Sequence, residues 1–277
     1  MSVVSVATGS YKVRSCQIAE FFKFWLLLIT ILVVLASDVA RAETFDFSDW
    51  DVLLKKYVNL DTTDEIQLNT VNYGMLQSDP VFFQLLSGLK SFSPSQLQTH
   101  EEKLAFWINV YNVFAAKMVI DNYPLESIID VGSLFKSVWK YKAGVIGGRG
   151  YTLHEIEHKI LRKMGDPRIH AAIVCASISC PDLSTEVFKP ERLNEQLDFQ
   201  MRGFLANPGK GMRVDSNSKR VFLSSIFDWF KEDFESLGGV RKFIQSYVSP
   251  KDEQALNNPG LSFSYMKYNW GVNDSSR

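Results

Sequence analysis

Leu104-Ala-Phe-Trp-Ile-Asn-Val-Tyr-Asn-Val-Phe-Ala-Ala-Lys-Met-Val-Ile120 holds a single charge, Lys117. Apolar side chains fall all round its helical wheel. The stretch therefore predicts a central helix, from about Glu101 to Asp121, buried on most of its sides. Tyr123-Pro124 ends it, because the residue before a proline is driven out of the helical region. A protein that buries a whole helix must wrap other elements around it, and the rest of the chain is read for those.

Upstream, Asp49 to Val58 has helical apolar spacing through Trp50, Leu53, Leu54 and Tyr57, and Pro80 to Leu89 predicts a second helix. Ser91-Phe-Ser-Pro-Ser95 is a linker. Downstream, Lys140–Val145, the Gly147-Gly-Arg-Gly150 turn and Tyr151–Leu153 form a hairpin that leads into a helix ending near Met164. Thr152-Leu-His-Glu155 suits a capping box at its start. Ile169 to Cys175 reads as a buried strand and Pro190 to Leu205 as a helix. A hairpin over Met212–Val214 and Arg220–Leu223 follows, then helices at Ser225–Ser236 and Gly239–Tyr247 and a terminal strand at Ser262–Tyr268. The fold class is α+β: a small, mainly antiparallel sheet packed by several helices around the buried central one.

The first 42 residues read differently. Lys12, Arg14 and Lys23 precede the apolar run Phe24–Ala36, and Ala40-Arg-Ala42 is a small-x-small site. That order is a secretory signal peptide, with cleavage after Ala42. Its apolar run is shorter than the about 20 residues a spanning helix needs, so no stable membrane span is expected after cleavage. Residues 43–277 are then a single exported domain, periplasmic or secreted, with 26 basic and 29 acidic side chains. That balance argues against a nucleic-acid partner, and 46% hydrophobic content excludes disorder. Partners of a small-molecule, peptide or envelope kind stay open, and nothing in the sequence calls for a cofactor.

Four stretches carry chemistry. With Cys16 in the leader, the mature cysteines are Cys175 and Cys180, inside His170-Ala-Ala-Ile-Val-Cys-Ala-Ser-Ile-Ser-Cys-Pro-Asp-Leu183. Two cysteines five apart in an oxidising compartment suit a disulfide; equally, one is buried and one reactive. On a strand Cys175 is a small buried hydrophobe. Cys180 precedes Pro181, which suits a first helical position, and a thiol at a helix N-terminus is activated. A strand would hold His170 about 17 Å from Cys175, which leaves His158 as the better base for Cys180. Glu157 falls inside the apolar face of its helix, as a core ion pair with Arg149, Arg162 or Arg168, or as an orienter or acid/base beside His158. Asn109 and Asn112 share one strip of the central helix, either tying down a buried loop or lining the site. His154-Glu-Ile-Glu-His158 is a literal H-E-x-x-H zinc signature, but Leu161 stands where its extended form has glycine.

Ala105-Phe-Trp-Ile-Asn-Val-Tyr-Asn112, Ile156-Glu-His-Lys-Ile-Leu-Arg162, the His170–Leu183 stretch and Tyr268-Asn-Trp270 resemble, in that order, the motifs of the "domain of unknown function 547" family. The resemblance runs from about Phe45 to Asn273. It implies a frequently exported bacterial domain and no particular reaction. The family's closing motif usually carries Asp where this chain has Asn269. Three readings follow. The first is a non-catalytic binding or structural domain of the envelope with a Cys175–Cys180 disulfide. The second is a thiol-dependent hydrolase or acyl transferase using Cys180 and His158, with Glu157, Asn109 and Asn112 as orienters. The third is a zinc hydrolase through His154 and His158.

Overall fold

A computed structural model of the chain describes residues 1–2, 44–133, 136–215 and 217–276. The expected signal peptide falls on 1–42 and lies outside the described residues, apart from the first two. Residues from Thr44 onward make one compact unit.

The first helix, α1 (Ser48–Tyr57), buries Trp50, Leu53, Leu54 and Tyr57 and exposes its polar side. It runs directly into a hairpin, β1 (Val58–Thr63) and β2 (Ile66–Val71), which the sequence pattern did not reveal. After a short turn of helix, α2 (Tyr73–Leu76), comes α3 (Pro80–Ser91). Asp79 caps it by accepting from the Val81 amide, and Pro80 sits where its missing N–H costs nothing. The same carboxylate accepts from Lys56 Nζ at 2.8 Å and Tyr57 Oη at 2.7 Å, tying α3 to α1.

The central helix is α4 (His100–Ile120), opened by a full capping box between Thr99 and Glu102. From Leu104 to Ile120 every residue but Lys117 is buried, as its all-round apolar wheel requires. Around it lies the larger of two apolar cores; the smaller gathers Met201, Phe204, Phe227 and Phe234. The expected hairpin follows as β3 (Lys142–Ile146) and β4 (Arg149–Thr152). At Gly144 the α4 residue Phe114 comes so close that a Cβ would lie 2.2 Å from its ring.

The next two segments depart from their sequence patterns. Only Leu153–Glu155 (α5) is α-helical. Ile156–Leu161 is a π-helix and Arg162–Met164 a 3-10 turn, stopped by Gly165 at φ +81°. A π-turn takes in an extra residue, a departure often found at functional sites. The expected strand Ile169–Cys175 does not form. Pro167–Ala171 is a 3-10 helix capped by Asp166, and an irregular buried run leads to the cysteines. An apolar run of this length has no periodicity to separate strand from buried coil, and here its backbone bonds go to side chains instead of a neighbouring strand.

Helix α6 (Leu193–Ala206) is followed by a three-stranded sheet: β5 (Met212–Asp215) pairs antiparallel with β6 (Arg220–Leu223), and β6 parallel with β7 (Ser262–Tyr265). Among the described residues the strands thus form three small sheets, mainly antiparallel, in place of one. Short helices α7 (Ile226–Trp229), α8 (Gly239–Ile244) and α9 (Pro250–Leu256), with a 3-10 stretch Lys231–Leu237 between α7 and α8, cover the second core. The class is α+β. Among the described residues no helix is long and apolar enough to cross a membrane.

Finally, residues 269–275 return across the molecule. The Val71 amide donates to Asn273 O (2.8 Å), Val272 to Glu126 O (3.0 Å), Ile178 to Gly271 O (2.8 Å) and Asn273 to Ala176 O (3.1 Å).

Candidate functional site

Tyr111 on α4, Glu157 and His158 on the π-turn, His170 on the 3-10 helix and both cysteines line one cavity of about 120 Å³. Its walls are aromatic. Trp229 stacks on Trp270 with ring centres 5.6 Å apart, Tyr268 sits 4.4 Å from Trp270, and Trp139 and Phe230 complete the enclosure. A larger hollow of about 420 Å³ lies beside Phe45 and Asn109. No cysteine or histidine lines it.

The absence of a strand is what assembles this site. An extended chain would have carried His170 away from Cys175; the coiled segment brings it to the same cavity. The segment is held by α4. Asn112 Nδ2 donates to Ala172 O (2.9 Å) while its Oδ1 accepts from the Val174 amide (2.9 Å). Asn109 clamps Phe188 in the same way, donating to its carbonyl (2.8 Å) and accepting from its amide (3.0 Å). Both asparagines are buried with both amide atoms committed to backbone, so they position the loops and do not line this cavity.

Charge behind the cavity is organised by Asp233, a residue the sequence patterns did not single out. Its carboxylate accepts from Arg162 Nε and Nη2, both at 2.7 Å, and from His170 Nε2 at 2.7 Å. Burial alone would raise its pKa, but the bonds from His170 and Arg162 hold it well below the usual carboxylate range. His170 is buried, which lowers its pKa, and its ring stacks on Phe230 at 4.2 Å. Arg162 also donates Nη1–H to His158 Nδ1 at 2.8 Å. Burial, with the charges of His154, Arg162 and His170, pushes His158 down to about 4. His158 is therefore neutral at pH 7 with its proton on Nε2, since an arginine can only donate. It offers a donor and is not set up as a base for a thiol.

Glu157 makes no arginine ion pair of the kind its position suggested. Its Oε2 accepts from Tyr111 Oη at 3.3 Å, and burial pushes its pKa up to about 7. It stands as a carboxyl group near its titration point in an aromatic setting. Tyr111 is raised by its own burial and then by Glu157.

The cysteines close a six-residue loop and lie at disulfide distance, with Cα atoms 6.3 Å apart, inside the span a disulfide allows. Ala176 within the loop has φ +61°, a left-handed value unusual for a residue with a side chain. Cys180 is 2% exposed, whereas Cys175 is half-buried at the cavity. The burial expected of the two is thus reversed. No helix follows Pro181, so Cys180 caps none. Its Sγ instead receives the Cys175 amide (3.0 Å) and the Tyr268 hydroxyl (3.2 Å), and the Ser177 hydroxyl lies between the two sulfurs, 3.3 Å from Cys180 Sγ and 3.1 Å from Cys175 Sγ.

At the closing motif, Asn269 Oδ1 accepts from the Gly271 amide and its Nδ2 donates to Asp64 Oδ2, each at 3.0 Å. An aspartate would keep the first bond but set a second carboxylate against Asp64. His154 and His158 have ring centres 4.4 Å apart, yet His158 Nδ1 is taken by Arg162. Among the described residues no group of three or more His, Cys, Asp or Glu is arranged to hold a metal ion.

No curated protein and no solved structure matches the chain. A family model described as "Protein of unknown function, DUF547" matches residues 94–205, from the linker before α4 to the end of α6. That span contains Tyr111, Trp139, Glu157, His158, His170 and both cysteines, whereas Asp233, Tyr268 and Trp270 lie beyond it. The matched stretch, residues 94–205, supports the resemblance that the four motifs carry to this family.

Proposed function

We propose that the protein is a ligand-binding domain whose site is the aromatic-walled cavity. The observation that supports this best is the state of the polar groups there. His158 is neutral and held by Arg162, His170 is held by Asp233, and the cysteines face each other, so what is left toward the cavity is aromatic faces and the carboxyl of Glu157. A cavity of about 120 Å³ suits a group of roughly benzene size. The ligand is therefore a largely apolar, ring-sized group, free or at the end of a larger molecule, with one polar atom for Glu157. The N-terminal pattern supports an exported location, so the partner belongs to the periplasm or the exterior. Tryptophan fluorescence titrated with indole and with phenol tests the site. Binding near millimolar, about −4 kcal/mol, weakened in Trp270→Ala, is expected. No change in emission up to the solubility limit of either probe would sink the reading. Intact mass of the exported protein tests the location: a chain beginning at Glu43 supports it, and a full-length chain overturns it.

A second reading has one observation in its favour. Asp233 holds His170 by Nε2, which is the base–orienter half of a nucleophile–base–orienter arrangement. A thiol-dependent hydrolase or acyl transferase would then use Cys175, the accessible sulfur, once the pair is reduced. Hydrolysis of thioester or ester probes by the reduced protein, lost in Cys175→Ser, is its test. Equal rates in wild type and variant would dismiss it.

A further inference from the structure

We infer that the Cys175–Cys180 pair is redox-active: it exchanges with thiols that enter the aromatic cavity, and Cys180 is the leaving sulfur. The step uses the two sulfur atoms and stands whatever the aromatic walls bind.

The first support is the asymmetry of access. Both cysteines border the cavity, but Cys175 is half-buried there while Cys180 is only 2% exposed. An incoming thiolate therefore meets Cys175 first. The second is the set of donors on Cys180. The Cys175 amide at 3.0 Å and the Tyr268 hydroxyl at 3.2 Å donate to its sulfur, while the single Ser177 hydroxyl hydrogen is shared among Cys180 Sγ (3.3 Å), Tyr268 Oη (3.3 Å) and Cys175 Sγ (3.1 Å). A disulfide sulfur is a weak acceptor, whereas a thiolate is a charged one whose hydrogen bonds are about twice as strong. The donors therefore favour the broken bond over the closed one. They lower the pKa of the departing thiol, and a lower pKa makes it leave faster. A purely structural disulfide has no use for such a cradle. The third is that the cradle is built from distant parts of the chain. Tyr268 comes from beyond β7, and the loop is pinned by the Ile178 and Asn273 amides on residues 271 and 176, so the donors stay in place when the sulfurs part.

The exchange balances as follows. A substrate thiolate attacks Cys175 Sγ, forming a mixed disulfide. The Cys175–Cys180 bond breaks and its electron pair goes to Cys180 Sγ, where the Cys175 amide and the Tyr268 hydroxyl receive it. A second substrate thiolate, from the same dithiol or another monothiol, attacks the substrate sulfur of the mixed disulfide and releases Cys175 as a thiolate. Two thiols are oxidised to one disulfide and the pair gains two electrons. A low-molecular-mass disulfide runs the same steps backwards and restores it.

The native full chain, equilibrated in glutathione buffers, acid-quenched, alkylated and weighed, tests this. The expected result is a pair that titrates between oxidised and reduced within those buffers without unfolding. Tyr268→Phe keeps both cysteines and removes one donor. It should shift the equilibrium about tenfold toward the disulfide, or about 30 mV for a two-electron couple. In Cys180→Ser, oxidised glutathione should add to Cys175. A pair that stays closed in excess reduced glutathione until denaturant is added would overturn the inference. So would an unchanged equilibrium in Tyr268→Phe, or an adduct that forms on Cys180 in Cys175→Ser but not on Cys175 in Cys180→Ser. If Cys180→Ser does not fold, the wild-type titration and Tyr268→Phe still decide. Loss of indole binding with intact exchange would separate failure of the binding reading from failure of this one.

Discussion

Arg162 donates to the Nδ1 of His158 across 2.8 Å while its other nitrogens grip Asp233. One arginine thus fixes the tautomer of one histidine and, through a shared carboxylate, the orientation of another. Replacing Arg162 by methionine removes both the donor and the neighbouring positive charge. The His158 titration, followed by ring proton shifts in NMR, should then move up from about 4 by about a unit toward the ordinary value near 6.5. An unmoved titration would mean that burial and the neighbouring histidines hold it down without Arg162.

Glu157 and His158 are neighbours with opposite effects on stability. The folded-state pKa of Glu157 is raised to about 7. Its contribution is full below about 4.5 and is lost as pH rises through 7, since the native state is the one that keeps the proton. His158 is lowered to about 4, so its contribution is full above about 6.5 and is lost as pH falls through 4. Between about pH 4.5 and 6.5 the two slopes oppose each other. Urea midpoints of wild type and Glu157→Gln across pH 4 to 8 isolate one of them. The stability of wild type relative to the variant should fall steadily from pH 4.5 to 7. A flat difference would show that Glu157 titrates normally.

Asn112 spans the Ala172 carbonyl and the Val174 amide. Asn112→Ala leaves one buried acceptor and one buried donor without a partner. At about 1–3 kcal/mol for each orphaned group, a loss of roughly 2–6 kcal/mol is expected in denaturant unfolding. A loss below 1 kcal/mol would mean that water fills the gap.

Two glycines near α6 should respond in opposite directions. A Cβ on Gly211 would lie 1.6 Å from the Phe204 carbonyl oxygen, a backbone atom, whereas one on Gly203 meets nothing within 4 Å. Gly211→Ala should cost more than about 3 kcal/mol. Gly203→Ala, inside a helix, should gain about 0.5–1 kcal/mol. Melting temperatures of the two variants check the pair, and equal shifts would contradict the close approach.

The central helix was legible because every residue obeys one rule: apolar on all sides means buried on all sides. Cys175, Cys180, Glu157, His158 and His170 were legible as chemistry, and they do share one cavity. Their arrangement was not, for physical reasons. The run from Ile169 to Cys175 carries no period, so nothing in it announces that Asn112, sixty residues earlier, satisfies its backbone. The π-turn at Ile156–Leu161 looks like an ordinary helix when read at 100° per residue. Asp233 gives no local signal, because its partners Arg162 and His170 are 71 and 63 residues away. Tyr268 stood in a recognisable closing motif, but only the fold shows that its hydroxyl belongs to Cys180.

The returning segment at residues 269–275 has a consequence for how the protein comes into being. Its amides and carbonyls hold Val71, Glu126 and Ala176, which belong to quite different parts of the chain. Those three regions precede the segment in the chain, and their backbone groups are served by water until residues 269–275 bridge them. The cavity is therefore complete only once stretches far apart in sequence have met. A chain cut before Gly271 would keep its central helix and leave its cysteine loop unfastened.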